Sequence, residues 1–251
     1  MRTFILACAV LGLSTLSASA QEAPHGAWLD INFVSMTPAQ GEQSYADSYR
    51  LYSETAVVAS GIPALGRAIG GQFTGGFAFG SGLGFGVQFK RAKWSYDAGM
   101  AISIPHPLVF GRSASDVDVT GSSLDRTDTS VDFQLNYVPK TPSAVRVRLF
   151  GGPTLFHAKQ DMVSQVYYQQ ATFLTLNAVN IASFERETAS GSAWGLNAGA
   201  DVAWFFSRYV GVGGGVQLNK GTVTVDDPLT ETAVDLNVGA TTVGAGLRLR
   251  F

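Results

Sequence analysis

Eight charged residues recur at alternate positions of short apolar segments, and their types suit them to form ion pairs. They are Asp30, Asp97, Asp132, Asp201, Arg146, Arg148, Arg248 and Arg250. A period of two places successive side chains on opposite faces of a β-strand, so these charges share the polar face of their strands. Where such a face is enclosed, opposite charges must pair, because an isolated buried charge is costly.

Three histidines are the candidates for acid–base or nucleophilic chemistry. His25 precedes the first strand, His106 stands between two prolines, and His157 follows a strand marked by Pro153. A catalytic histidine needs a nucleophile and an orienting acid beside it, and no His-x-Ser pair lies on a strand near the end of the chain. No group of residues has metal-ligand spacing. We therefore expect no enzyme activity, no catalytic residue, no metal site and no cofactor.

The elements that must position these residues are eight predicted strands, in which long polar segments alternate with short turns. The strands cover approximately 27–36, 77–90, 94–104, 131–137, 145–149, 194–204, 210–218 and 238–251. The short turns are at 91–93, 139–143 and 207–208. The long segments at 37–76 and 159–190 could each hide a hairpin, which would raise the number of strands to ten.

The last segment, 238–251, has apolar residues on one face and ends on an aromatic residue. Here the chain resembles small bacterial outer-membrane β-barrels of the OmpA-like or OmpX-like kind. Their C-terminal assembly signal has a polar residue, a glycine, a hydrophobic residue and a terminal Phe. Gly246, Leu249 and Phe251 match this signal, whereas Gly244 stands where the family usually has a polar side chain.

The resemblance implies an all-β fold, a transmembrane antiparallel up-and-down β-barrel with long extracellular loops and short periplasmic turns. The polar faces would then line the lumen, which side chains just fill when a barrel has about eight strands. We therefore expect a plugged lumen that contains an ion-pair network. The expected pairs between neighbouring strands are Asp30 with Arg248 or Arg250, and Asp201 with Arg146 or Arg148.

Aromatic residues on the opposite faces predict the girdles of such a barrel: Trp94, Trp194, Trp204 and Phe251. Trp194 and Trp204 lie ten residues apart on one face. At ~3.3 Å per residue and a tilt of about 40°, this separation corresponds to ~25 Å along the membrane normal. That is the height of the apolar band of an outer-membrane barrel.

The N-terminus predicts export. Arg2, a short apolar run and Ala18-Ser19-Ala20 form a secretory signal peptide, residues 1–20, which is cleaved near Ala20 and leaves 21–251 as the barrel. Cys8, the only cysteine, lies inside it, where lipoprotein processing is the alternative. Without Arg2 the chain has 16 basic and 19 acidic residues, a net charge near −3 that provides no electrostatic basis for binding nucleic acid.

The function expected from this resemblance is a structural, adhesive or surface-interaction role through the extracellular loops, in the Gram-negative outer membrane. The expected partners are outer-membrane lipid and lipopolysaccharide, together with the barrel-assembly machinery through the C-terminal strand, and the expected state is a monomer. A narrow channel, or transport of small molecules including hydrophobic ones, is the alternative. A lipid-modifying enzyme is the third possibility.

Overall fold

The computed structural model is built from β-strands. It describes residues 26–38, 41, 43–62, 64–79, 81–97, 99–118, 123–139, 144–173, 176–229 and 231–251. The predicted signal peptide, its cleavage site near Ala20, and His25 lie outside the described residues. No helix in the described part of the chain is long and apolar enough to span a membrane.

The described residues form thirteen strands. In chain order they are β1 Gly26–Pro38, β2 Gln43–Leu51, β3 Glu54–Ile62, β4 Ala68–Ala78, β5 Leu83–Asp97, β6 Gly99–Pro105, β7 Ser113–Asp118, β8 Ser123–Tyr137, β9 Val145–Thr172, β10 Asn177–Phe205, β11 Val210–Asp226, β12 Ala233–Val238 and β13 Ala240–Arg250.

Eight strands close into an antiparallel ring, which confirms the predicted fold class. The order around the ring is β1-β4-β5-β8-β9-β10-β11-β13, and β13 pairs with β1 to close it. β12 and β13 form one continuous edge, because both pair with β11 in the same register. They are separated by Gly239, whose φ of 104° only glycine adopts readily.

The stagger of the ring sets the tilt of its strands. If one starts at Asp30 and moves from each residue to its partner on the next strand, the path around the ring ends at Val238. The direct partner of Asp30 on β13 is Arg248, so the stagger of the closed ring is ten residues. With eight strands about 4.8 Å apart and ~3.3 Å per residue, this stagger corresponds to a tilt of about 40°. A ring of this size is filled by its own side chains.

One end of the ring, here named the turn end, has the short connections 79–82, 138–144 and 206–209 and both chain ends of the ring. The opposite end is named the loop end. Large apolar side chains exposed on the outer wall form a belt that starts at the turn end. The belt contains Ile31, Phe33, Ile69, Phe73, Phe77, Leu83, Phe85, Val87, Phe89, Leu135, Leu149, Leu155, Trp194, Leu196, Val202, Trp204, Val212, Val216, Leu218, Val243 and Leu247.

Polarity reverses along the strands where the belt ends. On β5 the outward side chains are apolar from Leu83 to Phe89 and polar from Arg91 to Asp97. The inward side chains change in the opposite sense, because Ala92, Trp94 and Tyr96 are buried. The barrel is therefore polar inside within the belt, and has a mainly apolar interior above it.

The structure extends well beyond the belt at the loop end. β9 has 28 residues and β10 has 29, so their hairpin protrudes from the ring. A second sheet, with strand order β2-β3-β6-β7, lies beside this hairpin. Buried residues such as Val58, Ile102 and Val179 form the apolar core between them.

Several predicted strand positions are wrong. The second strand of the ring is Ala68–Ala78 and the third is Leu83–Asp97, so residues 91–93 belong to a strand rather than to a turn. The first long segment does hide a hairpin, β2–β3, but this hairpin joins the separate sheet, and the ring keeps eight strands rather than ten. The apolar face changes sides near Arg91, and this change resembles a turn in the sequence.

Candidate functional site: the charged interior of the barrel

Four of the predicted charges meet inside the barrel and form an electroneutral cluster, here named the tetrad: Asp30, Arg148, Asp201 and Arg248. Arg148 Nη2 lies 2.5 Å from Asp30 Oδ2, and Arg248 Nη2 lies 2.5 Å from Asp201 Oδ2. Arg248 Nε donates a second hydrogen bond to Asp201, at 3.2 Å. The side chains are nearly enclosed, so both carboxylates are held between two guanidinium groups in a place of low dielectric.

The tetrad joins strands that are not neighbours. The expected pairs on adjacent strands are present at longer range, because Arg248 lies 3.7 Å from Asp30 and Arg148 lies 3.7 Å from Asp201. Of the shorter contacts, the one from β9 to β1 crosses the lumen, and the one from β13 to β10 passes the single intervening strand β11. Each arginine therefore bridges both carboxylates, and the cluster ties opposite walls together.

Arg146 and Arg250 lie nearer the turn end and make different contacts. Their guanidinium carbons lie 5.3 Å and 4.1 Å from the centre of the Phe205 ring, which both cations share. Arg250 Nε also donates to the carbonyl oxygen of Arg208, at 2.5 Å. Neither arginine belongs to the tetrad. The tetrad therefore contains four of the eight charged residues that the sequence assigns to the network, and Asp132 belongs to a separate cluster.

Asp132 forms the centre of a buried polar layer on the loop-end side of the tetrad. Its carboxylate lies 3.5 Å from Lys90 Nζ and accepts hydrogen bonds from Gln88, Gln217 and Asn219. Lys90 was missed in the sequence, although it follows Gln88 on the same face. That alternation could have identified it, because Lys90 is the last residue of the predicted strand 77–90 and shares the parity of Gln88.

Beyond this layer most of the inward side chains are apolar, although the buried Arg126, which lies 2.8 Å from Asp128, and Gln160 are enclosed among them. Phe156, Met162, Val223 and Leu236 are fully or almost fully buried there, in one cluster with Trp94. The lumen thus has three successive layers from the turn end to the loop end: the tetrad, the polar layer and an apolar core.

Two predicted site residues face the wrong way. Trp94 was assigned to the aromatic girdle, but it is 6 % exposed, and its Nε1 donates to the carbonyl oxygen of Gly66 at 3.0 Å inside the barrel. Asp97 was assigned to the lumen, but its side chain is exposed on the outer wall. Both errors follow from the turn predicted at 91–93, since an uninterrupted strand puts even-numbered residues inside.

The remaining girdle residues lie on the outer wall. Trp194 is 63 % exposed and Trp204 is 48 % exposed, at opposite ends of the belt on β10. Phe251 is exposed at the turn end, where its N–H donates to the carbonyl oxygen of Ala27.

The residues of the predicted assembly signal stand on the strand that closes the ring. Leu249 is half-buried and pairs with Leu29 on β1. At Gly246 a Cβ atom would overlap the carbonyl oxygen of Ile31, so glycine allows β13 and β1 to approach closely.

The described histidines lie outside the lumen layers. His106 is buried in the second sheet, where its Nε2 lies 2.7 Å from the carbonyl oxygen of Phe173. His157 Nδ1 lies 2.9 Å from Ser192 Oγ on the outer wall, a pairing between strands that the sequence spacing did not indicate. Among the described residues, no carboxylate is bonded to His157, and no group of three or more His, Cys, Asp or Glu side chains is placed to hold a metal ion.

Two cavities flank the tetrad. One lies at the turn end and is lined by Trp28, Phe205 and the four arginines of β9 and β13. The other is smaller and lies between the tetrad and the polar layer, beside Gln217 and Thr242. The tetrad therefore lies between two small cavities, one toward the turn end and one toward the polar layer.

Comparison with known proteins identifies the fold. No protein-family model matches the chain, and no curated protein matches it. Among solved structures it is similar to the outer-membrane protein OprG of Pseudomonas aeruginosa, with 13 % identity, a TM-score of 0.52, and coverage of 93 % of this chain and 99 % of that one. It is also similar to Neisserial surface protein A, with 17 % identity, a TM-score of 0.44, and coverage of 90 % and 99 %. Ail of Yersinia pestis matches with 12 % identity, a TM-score of 0.41, and coverage of 89 % and 99 %. The chain has the fold of the small outer-membrane β-barrels.

Proposed function

We propose that this protein is an integral protein of a Gram-negative outer membrane, whose closed barrel anchors an extracellular β-structure that interacts with other molecules. The fold supports this assignment, as does the belt, whose two limiting tryptophans are ten residues apart on β10. At a strand tilt of about 40° this separation is ~25 Å along the membrane normal, which matches the hydrocarbon band of such barrels.

The observation that carries the proposal of a closed barrel is the succession of three filled layers. The tetrad crosses the lumen, the polar layer around Asp132 follows it, and the apolar core that contains Phe156 and Met162 occupies the loop end. Water and ions would have to pass all three layers in series. An apolar constriction opposes ions even where a polar one admits them. We therefore expect no conductance.

The structure beyond the belt supports a role at the cell surface. The β9–β10 hairpin and the second sheet are held together by the buried core around Ile102 and Val179 and by the bond from His106 to Phe173. Their ends expose large apolar side chains, among them Leu108 and Phe110, the latter 85 % exposed. Exposed apolar groups on a rigid support are typical of interaction surfaces.

Basic side chains near the upper edge of the belt support lipopolysaccharide as the lipid partner. Arg91, Lys93, Lys159 and Lys220 are exposed on the outer wall, just beyond the last apolar residues of their strands. Cations at that level lie opposite the phosphate groups of an outer leaflet, to which charge-assisted hydrogen bonds are strong. We further propose assembly through the β13 strand and a monomeric state.

A role in catalysis is not part of this proposal. His157 and Ser192 are within hydrogen-bond distance, but the acid that would orient the histidine in a triad is missing from their described contacts. A serine-reactive fluorophosphonate that labelled Ser192 in the folded protein, and failed to label a His157→Ala variant, would reverse this assignment and indicate a lipid-modifying enzyme.

Single-channel recording in planar bilayers tests the closed barrel. The refolded protein and the variants Asp201→Ala and Arg148→Ala are compared after heat-modifiable gel mobility has shown that each is folded. We expect silence from all three, since the apolar core remains closed when the tetrad is broken. Discrete openings of the wild-type protein, altered by either substitution, would contradict the closed barrel and favour a narrow channel.

A further inference from the structure

The second sheet has two edge strands, β2 and β7, and they differ in what lies beside them. At β7 the Asp116 carboxylate accepts hydrogen bonds from the backbone N–H of Val117, at 3.0 Å, and from that of Ile181 on β10, at 2.7 Å. β2 pairs with β3 alone among the described residues. One edge of the sheet is therefore covered, whereas the other is open.

The turn that joins β2 to β3 fixes which backbone groups face the open edge. Leu51 pairs with Glu54 across a loop of two residues, and both have a positive φ, 52° at Tyr52 and 68° at Ser53. This is a type I′ hairpin turn, in which the flanking residues are hydrogen-bonded to each other. Because hydrogen-bonded pairs alternate with non-hydrogen-bonded pairs along the ladder, four residues of β2 point their backbone N–H and C=O groups away from β3. They are Ser44, Ala46, Ser48 and Arg50.

β2 lacks the features that normally protect an edge strand. Proline, lysine and β-bulges prevent a free edge from pairing with another chain. The nine residues of β2 pair with β3 in an unbroken register, contain no proline, and include one basic residue, Arg50. By contrast, the ladder between β9 and β10 has two register shifts, near Ser183 and near Glu185. The four residues with outward backbone groups are all exposed, so β2 presents a free row of donors and acceptors.

We propose that β2 is a docking site for an extended peptide segment of another protein, which adds to the second sheet as a fifth, antiparallel strand. A row of unpaired backbone groups at strand spacing is complementary to the same row of an extended chain. The proposal rests on the surface-interaction role proposed above, and it names the kind of partner and the strand that binds it.

The side chains of β2 determine which segment fits. Successive side chains of the added strand lie on opposite faces of the sheet. On one face they would lie beside Tyr49 and Leu51, where apolar or aromatic side chains gain contact area. On the other face they would lie beside Ala46 and Ser48, which leave room for small polar side chains. The site therefore fits a segment in which apolar residues alternate with small polar ones.

Binding of a synthetic peptide to the refolded protein in detergent micelles tests the proposal, with fluorescence anisotropy as the measurement. The probe has as many residues as β2, with threonine and valine alternating between two terminal glutamates. Two N-methylated forms are the controls, one methylated at its threonines and the other at its valines, because each blocks one edge of the peptide. Antiparallel pairing with the valines beside Tyr49 directs the threonine N–H groups toward β2. Methylation of the threonines should therefore abolish binding, and methylation of the valines should preserve it. Absence of binding by the unmethylated peptide, or equal affinity of the two methylated forms, would overturn the proposal.

Hydrogen exchange of the backbone amides provides a readout in the wild-type protein. Without peptide, the amides that point away from β3, at residues 44, 46, 48 and 50, should exchange fast, and those of Tyr45, Asp47 and Tyr49 should be protected by their bonds to β3. Saturating peptide should slow exchange of the first set and leave the second set unchanged. Protection of the first set without peptide would contradict the open edge, and exchange that stays fast at saturation would contradict pairing with β2.

Ser48→Pro removes one backbone donor from the open edge, and Ser115→Pro is its matched control on the other edge strand. Ser115 is also exposed, and its partner Ser103 uses its backbone groups to bond to β3, so the Ser115 N–H points away from the sheet as well. Proline is tolerated at such edge positions, because no ladder hydrogen bond is lost. Ser48→Pro should weaken binding of the peptide about tenfold or more, whereas Ser115→Pro should bind as the wild type does. Equal affinity of the two variants would exclude β2 as the docking strand.

Two further outcomes separate this proposal from its alternatives. A dimer of the protein without peptide that is abolished by Ser48→Pro, measured by analytical ultracentrifugation, would assign the edge to a second copy of the chain and overturn the proposed partner. Heat-modifiable gel mobility and bilayer recording report on the barrel independently. Absence of strand addition to a folded, silent barrel would overturn the docking site alone, whereas a conducting barrel would contradict the proposed function.

Discussion

Removing the carboxylate of Asp201 should destabilise the barrel strongly. The side chain accepts two hydrogen bonds from Arg248, at 3.2 Å and 2.5 Å, and lies 3.7 Å from Arg148. In Asp201→Ala the buried guanidinium of Arg248 keeps Asn32 and the more distant carboxylate of Asp30. Breaking a buried pair on one side typically costs about 3–5 kcal/mol. Because Asp30 compensates in part, we expect a loss near the lower end, about 3 kcal/mol.

Equilibrium unfolding in urea measures this loss, with the protein refolded into lipid vesicles and tryptophan fluorescence followed in both directions. Asp125→Ala is the matched control, because the pair of Asp125 with Lys93, at 2.7 Å, is exposed and its loss should lower the unfolding midpoint only slightly. A double variant, Asp201→Leu with Arg248→Met, should recover most of the lost stability, since it removes both charges together.

An Asp201→Ala variant no less stable than Asp125→Ala would refute the reasoning, because the tetrad would then carry no more energy than a surface pair. A double variant as unstable as Asp201→Ala would refute it in a different way. The loss would then come from a cavity or from altered packing and not from an unpaired buried cation.

Three further predictions concern other parts of the molecule. Brominated lipids should quench the fluorescence of a variant that retains only Trp194, and leave one that retains only Trp94 unquenched; equal quenching would contradict the inward orientation of Trp94. Hydrogen bonds from Lys93, and to a smaller extent from Ser95, hold the pKa of Asp125 below its usual value. The stabilisation of the folded protein by these bonds is present above about pH 4 and is lost as the pH falls through the lowered pKa. Carboxyl NMR should find that pKa raised in Lys93→Met, and no change would exclude the bond. Phe251→Ala should lower the amount of protein assembled in cells, while stability after refolding in vitro changes little; normal assembly would exclude its role in the signal.

The sequence was sufficient to predict an eight-stranded ring and much of the tetrad, although most of β4 was placed in a loop and β5 was divided by a turn. Asp30 and Arg248 stand on strands whose alternation is unbroken, and the first and last strands of a closed barrel must be neighbours. The positions of Arg148 and Asp201 follow by the same argument for β9 and β10. The exchange of partners across the lumen could not be predicted, because it depends on the stagger of the ring, which fixes the depth of each side chain.

The second sheet could not be predicted for a different reason. Its strands come from two separate stretches, which include β3 and β6, and they pair with each other over a long sequence separation. Local alternation predicts most of β6 within the strand 94–104 and allows a hairpin within 37–76, but it carries no information on the pairing of one stretch with the other. The core that contains Ile102 and Val179 stabilises the sheet, and such long-range packing overrides local preference.

The failure at residues 91–93 has a physical cause that applies to other strands of the barrel. Alternation predicts a strand, but does not indicate which face is inside. Within a lipid layer the apolar face points outward, and above that layer it points inward, as in a soluble protein. On β5 the change falls between Phe89 and Ala92, and on β11 it falls between Leu218 and Val223. A strand that crosses the boundary therefore shifts its apolar face by one residue without any turn. In barrels with long strands, such a shift marks the membrane surface, and the fluorescence-quenching experiment above tests it directly at Trp94.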